Sequence, residues 1–319
     1  MATNNVSFCL GADERKVLLR NRLHFLSADE AARVGPVLPS SHPKEAWIVR
    51  AALRRADRVI VPTETMGEQV IARCPWVEDR LDVLPHPVTP LVKRTQAARR
   101  SPHPVLLCPI LNAPYKNLGD ALQELHRAIL LDPDLHEMEV RVTCDERELS
   151  DVGVNLTGRV KALGRLTTNQ VARELLEADA IFFPMDLESF GYPLAEARVN
   201  RIAVVAPSTA HAREVAGDAL VPFDRGDTES LAEALSSSLL LKLPPLGENP
   251  FDPDRYFRKL FSMEAEVVSV RSGGGESKCP SRGRRLLEKW THPLVFRAGF
   301  PIPTRAPSST SRAREVPSA

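Results

Sequence analysis

The segment Asp186-Leu187-Glu188-Ser189-Phe190-Gly191-Tyr192-Pro193-Leu194-Ala195-Glu196 places two carboxylates eight positions apart around a glycine-bearing turn. It comes after the apolar run Ile181-Phe182-Phe183, which reads as the end of a buried strand. Proline near the start of Pro193 to Val199 marks a helix beginning there, with Pro193 expected at its first position. A helix start leaves backbone N–H groups without intrahelical partners and carries the positive end of the helix dipole, which suits a diphosphate. Gly191 would let the backbone approach a ligand without a Cβ clash. Glu188, in the loop, could reach a sugar ring held at the diphosphate end. Glu196, one turn into the helix, could accept charge-assisted hydrogen bonds from ribose hydroxyls.

Such a turn needs a rigid frame, and the flanking pattern supplies one. Strands are expected at Val105 to Cys108, Glu139 to Thr143, Ala180 to Phe183 and Ile202 to Ala206. Helices alternate with them over Leu118 to Leu131, from Thr167 or Thr168 to Ala178, from Pro193, and over Thr228 to Leu240. Continuous apolar strands alternating with helices imply an α/β fold with a doubly wound parallel sheet. Ligands in such sheets bind beyond the carboxyl ends of the strands, where the turn lies. Before it, residues 1–88 read as a partial α/β domain: a helix over Ala46 to Ala56, a strand at Arg58 to Val61, a helix over Glu64 to Arg73 capped by Thr63, and a strand at Leu81 to Leu84. Residues 89–104 read as a proline-bearing linker and 105–262 as the second domain, closed by a helix within Phe251 to Phe261. Residues 263–319 are rich in Gly, Pro, Ser and Arg and are expected to be disordered.

The stretch from Glu188 to Glu196 resembles the Glu-x7-Glu motif of retaining GT-B glycosyltransferases of family 4. Ile202 to Ala206, Glu214 to Ala219 and Val221 to Asp224 resemble that family's continuation downstream of the motif. Lys116-Asn117-Leu118 resembles the lysine segment after the first strand of the nucleotide domain, and the likeness runs from about 45 to 260. It implies a GT-B-like architecture and transfer of a hexose, with retention, from a UDP- or GDP-sugar to a hydroxyl of a glycan, lipid-linked or small-molecule acceptor. It also implies roles: Glu188 beside the transferred sugar, Lys116 on the leaving diphosphate, and amides of Ser189, Phe190 and Gly191 on the phosphates. Further donor contacts are implied at Tyr192, Leu194 and Glu196, and at Leu166 in the segment that reads the base. No metal and no cofactor is implied.

Two departures accompany the resemblance. An arginine expected near Ile110 is replaced by a hydrophobic residue, and the N-terminal domain is shorter than the family's, without a glycine-rich strand-to-helix turn. Both favour a second reading, a non-catalytic nucleotide-sugar-binding or regulatory subunit acting with a partner. The remaining chemistry-bearing residues have plainer readings. His86 and His211 read as turn histidines or cleft residues, Asp132-Pro133-Asp134 and Asp252-Pro253-Asp254 as helix-boundary turns rather than metal sites, and the basic tail as solvated charge.

Composition narrows the classes. With 42 basic against 41 acidic residues there is no electrostatic case for nucleic acid. Five cysteines without a Cys-x-x-Cys pair suggest a reduced, cytoplasmic setting. No apolar run approaches the roughly 18–20 residues of a membrane span, which leaves only peripheral membrane contact open.

Overall fold

The computed structural model describes residues 14–91, 101–153 and 160–261. The expected tail over 263–319 and the middle of the expected linker, 92–100, lie outside them.

The N-terminal lobe is a parallel three-stranded sheet in the order β1 (Lys16–Leu18), β2 (Arg58–Val61), β3 (Leu81–Val83). Between β1 and β2 run a 3₁₀ turn at Arg22–Phe25 and helices α1 (Ala28–Val34) and α2 (His42–Leu53). Helix α3 (Glu64–Arg73) connects β2 to β3, and Thr63 caps it by accepting from Met66 N–H, as its sequence position implies. Helix α2 starts four residues earlier than the apolar spacing suggests, because Pro43 in its first turn can open a helix at no hydrogen-bond cost.

The C-terminal lobe is a parallel six-stranded sheet. In chain order its elements are β4 (Val105–Cys108), α4 (Leu118–Leu131), β5 (Glu139–Val142), α5 (Glu146–Asp151), β6 (Val160–Ala162), α6 (Thr168–Glu177), β7 (Ala180–Phe182), α7 (Tyr192–Asn200), β8 (Ala203–Pro207), α8 (Ala210–Ala216), β9 (Leu220–Phe223) and α9 (Thr228–Leu240). The spatial order is β6-β5-β4-β7-β8-β9. This is a doubly wound arrangement, and its order reverses between β4 and β7. Strands β4, β5, β7 and β8 are buried along their whole length, as expected for a sheet covered on both faces.

One charged pair interrupts that rule. Glu139 and Arg141 are buried on β5, and Arg141 is satisfied by Glu139 (2.6 Å), Glu174 (2.7 Å) and Glu177 (2.9 Å). Three carboxylates around one guanidinium offset the desolvation that would otherwise exclude it from a buried strand.

Helix α10 (Pro253–Leu260), capped by Asp252, leaves the C-terminal sheet and packs Tyr256 and Leu260 against Leu18, Ile60 and Leu84 of the N-terminal lobe. The lobes are also joined at α3. The carboxylate of Glu214 accepts from the N–H groups of Glu64 (2.6 Å) and Thr65 (3.0 Å) and from the Thr65 hydroxyl (2.8 Å). An anion at a helix N-terminus meets both unpaired N–H groups and the dipole. Glu214→Ala is expected to cost about 2 kcal/mol of unfolding free energy in urea titration; a change below about 0.5 kcal/mol, the level of a neutral surface substitution, would show the contact to be energetically idle.

Candidate donor site at the sheet switch point

The two loops that leave β4 and β7 flank the point where the strand order reverses, and each carries one of the residues singled out by sequence. The β4 loop ends in a 3₁₀ turn, Pro114–Lys116, then Asn117 in a left-handed conformation opens α4. The β7 loop runs through Glu188 into α7. The two meet: Lys116 Nζ donates to Glu188 Oε1 at 2.9 Å, with both side chains largely buried. Burial works against the lysine's charge, but Glu188 and then Tyr115 outweigh it and lift the pKa above its ordinary value. Lys116 is therefore cationic at neutral pH.

The turn itself is held from both sides. Arg22 N–H donates to the Ser189 hydroxyl (2.9 Å), Arg22 Nη1 donates to the Asp186 carbonyl (3.0 Å), and the Thr63 hydroxyl donates to the Ser189 carbonyl (3.2 Å). Arg22 is buried and paired with Glu30. Asp186 is flanked by Arg33 (2.8 Å) and Arg225 (3.1 Å). Phe190 is buried in an aromatic group with His86, Tyr192 and Phe251. Meanwhile the N–H groups of Ser189, Phe190 and Gly191 donate to no protein acceptor among the described residues. Three donors without partners at the start of a helix form an anion-accepting turn.

Gly191 has a further role here beyond the expected close approach to a ligand. Its φ is +68°, and an added Cβ would lie 3.1 Å from Leu194 Cδ1 and 3.3 Å from Phe183 Cε1. The turn requires glycine for its backbone and for the packing beneath it. Helix α7 begins at Tyr192, so Pro193 stands one position later than expected.

The other sequence-selected residues fall into two groups. Glu196 is on α7 with its carboxyl closely surrounded, no cation beside it and no hydrogen-bond partner among the described residues; burial pushes its pKa up to about 7. Tyr192 stacks on His86 at 5.9 Å and is hydrogen bonded by Arg20. Leu194, in contrast, is sealed in the core, and its N–H is bonded to the Gly191 carbonyl (2.9 Å), so it supports the turn from below. Leu166 is half-buried between β6 and α6, after Gly164, whose N–H donates to the Cys144 carbonyl (3.0 Å). Ile110 is in the core, and its carbonyl accepts from the Thr143 hydroxyl (3.0 Å) and from Cys144 Sγ (3.4 Å). Besides Arg33 and Arg225 on Asp186 and Arg20 on Tyr192, the cations near Glu188 include Lys116 and, from the N-terminal lobe, Arg22, which acts on Glu188 at longer range.

Sequence reasoning missed Arg22, Thr63's second role and Glu214. Each acts on a partner more than a hundred residues away, so no local pattern announces it. His86 and His211 are both buried, and burial lowers each to a pKa of about 4, so both are neutral. Among the described residues no group of three or more His, Cys, Asp or Glu side chains could hold a metal ion.

Comparison with known proteins fits this geometry. Residues 104–240 match the family model described as "Glycosyl transferases group 1". No curated protein sequence matches the chain. Solved structures with the same fold include WaaG, a glycosyltransferase involved in lipopolysaccharide biosynthesis, at a TM-score of 0.54 and 16% identity over 82% of this chain and 76% of that one. TarM aligns at 0.55 and 12% identity, over 78% and 50%. A UDP-forming α,α-trehalose-phosphate synthase from Burkholderia vietnamiensis aligns at 0.52 and 15%, over 78% and 65%. The chain thus spans between half and two thirds of the length of the last two. At such identities the likeness concerns the fold. By that fold and by the match over residues 104–240, the chain resembles a GT-B glycosyltransferase.

Proposed function

We propose that the chain transfers a hexose from a UDP- or GDP-sugar to an acceptor hydroxyl with retention. The observation that carries this reading is the Lys116–Glu188 pair at the switch point, beside a helix-start turn whose three N–H groups lack protein partners among the described residues. In the proposal the amides of Ser189, Phe190 and Gly191 and the Lys116 ammonium hold the donor diphosphate. Lys116 offsets the charge that develops on the leaving nucleotide diphosphate, and electrostatic stabilisation of this kind is usually the largest catalytic contribution. Glu188 lies against the sugar and stabilises its oxocarbenium-like transition state. Glu196 accepts from the ribose hydroxyls.

Isothermal titration of the full chain with UDP- and GDP-sugars tests the donor site. Binding of at least one of them is expected, and no binding of any would sink the assignment. A second reading, a nucleotide-sugar-binding subunit without turnover, is favoured by Ile110, which buries an apolar side chain where the resemblance expects a cation. Turnover by the unmodified chain that is lost in Glu188→Ala would exclude that reading.

A further inference from the structure

A cavity of about 430 Å³ lies in the N-terminal lobe between the Arg22–Phe25 turn, α1 and α2. Its chemistry is one-sided. His24, His42, Arg50 and Arg73 line it, and no Asp or Glu does. The two imidazoles stack at 5.7 Å with an 18° interplanar angle. His42 Nε2 is bonded to the Leu23 carbonyl at 3.0 Å, and Arg73 donates to the Leu26 carbonyl. Arg50 uses Nε on the Ala46 carbonyl (3.0 Å), and the terminal nitrogens of its guanidinium meet no acceptor among the described residues. His24 is 7% exposed, and its Nδ1 is buried with no hydrogen-bond partner.

Buried polar atoms without partners are uncommon in folded proteins, because each forfeits its hydration. His24 Nδ1 is such an atom, sealed within the lobe, while the cavity that His24 helps to line also holds two guanidinium groups, whose planar forks match oxyanions. Burial, then His42, holds His24 near a pKa of about 4, while Glu45, from outside the lining, acts in the opposite direction. A neutral imidazole still offers one N–H to an oxyanion. The volume lies in the range of small-molecule sites.

The cavity is also close to the proposed donor site. Leu23 and Leu26 form part of its wall and pack in one cluster with Leu187 and Tyr115, the sequence neighbours of Glu188 and Lys116.

We propose that this cavity binds the oxyanion of a small phosphate- or carboxylate-bearing molecule, and that this molecule is the acceptor. Its acceptor role rests on the transferase reading; its binding does not. Arg50 and Arg73 hold the anionic group, and His24 donates to it.

Calorimetric titration of the full chain with glucose 6-phosphate, glucuronate and glucose tests the proposal. At least one of the two anionic sugars is expected to bind ten-fold or more tighter than glucose, and comparison of the two identifies phosphate or carboxylate as the favoured group. Arg50→Gln is expected to weaken that binding at least five-fold and Arg50→Lys to retain most of it. Equal affinity for all three sugars, or anion binding that Arg50→Gln leaves intact, would overturn the proposal. UDP is titrated in parallel. Unchanged UDP affinity in Arg50→Gln shows that the variant is folded and that the loss is local. Absence of UDP binding in the unmodified chain would count against the donor site alone.

Discussion

Lys116→Ala and Glu188→Gln are expected to move UDP affinity in opposite directions. Without a donor, the Lys116 ammonium is occupied by Glu188 at 2.9 Å, so a diphosphate must compete with that carboxylate for it. Removing the lysine deletes a charge-assisted contact worth about 1.5–3 kcal/mol, or roughly ten- to hundred-fold in the dissociation constant. Removing only the charge of Glu188 leaves the lysine in place and releases it, so UDP binding should tighten by about 1 kcal/mol, roughly five-fold. On turnover the two should agree. Each removes a group that acts on charge developing in the proposed transition state, and each should lower kcat by about two to three orders of magnitude. Titration calorimetry with UDP and steady-state assays with UDP-sugars check both. If Lys116→Ala leaves UDP affinity unchanged, or if both variants shift it the same way, the lysine does not contact the diphosphate. Lys116→Arg should not restore the native rate, because a planar fork on a longer stem cannot occupy the point position of an ammonium.

Much of this frame is legible in the sequence because its elements are locally determined. The apolar runs at Val105–Cys108 and Ala203–Pro207 leave only a buried strand as a reading. Helix α3 announces itself through Thr63, and α6 through the Thr167–Thr168 start, of which the structure selects Thr167 as the cap, paired reciprocally with Gln170. Other elements are set by contacts distant in sequence. Strand β1 is three residues long and starts with a lysine, so its pairing with β2, not its pattern, makes it a strand. The Arg22–Phe25 turn is held by Ser189 and Asp186, more than 160 positions further along the chain. Strand β5 carries Glu139 and Arg141 into the interior, which only the carboxylates of α6 make tolerable.

The site shows the same division. Glu188, Gly191 and Lys116 are readable from type and spacing, and the structure brings the loops that bear them together. Which residues of α7 face the site is not readable, because the motif does not reveal helix rotation. Leu194 turns into the core beside Ala195 and Ala197, whereas Glu196 does not. The cationic cavity has no signature at all. His24, His42, Arg50 and Arg73 come from three separate elements and read singly as solvated or helix-face residues.

Glu196→Gln is expected to stabilise the protein at alkaline pH while weakening nucleotide binding. Burial raises the Glu196 carboxyl to about 7, against about 4.3 in an unfolded chain. Between those values the folded state binds more protons than the unfolded one, so stability falls as pH rises through the window and the cost is complete above 7. The shift corresponds to at most about 4 kcal/mol. Glutamine is nearly isosteric and cannot ionise. The variant should therefore match the native chain near pH 4 and exceed it by about 2 kcal/mol at pH 8.5, seen as a Tm several degrees higher. A stability difference that does not change with pH would show that burial does not shift this carboxyl. Under the proposed assignment, ribose hydroxyls donating to Glu196 favour its charged form, and a buried carboxyl without protein donors among the described residues is poised to be pulled down by them. UDP binding to the native chain at pH 7 should then release a fraction of a proton, measured as a dependence of the binding enthalpy on buffer ionisation enthalpy. In Glu196→Gln that release should vanish, and UDP affinity at pH 8 should fall by roughly ten-fold or more as charge-assisted bonds are lost. Equal proton release in both proteins would assign the proton to another group and place the ribose away from Glu196.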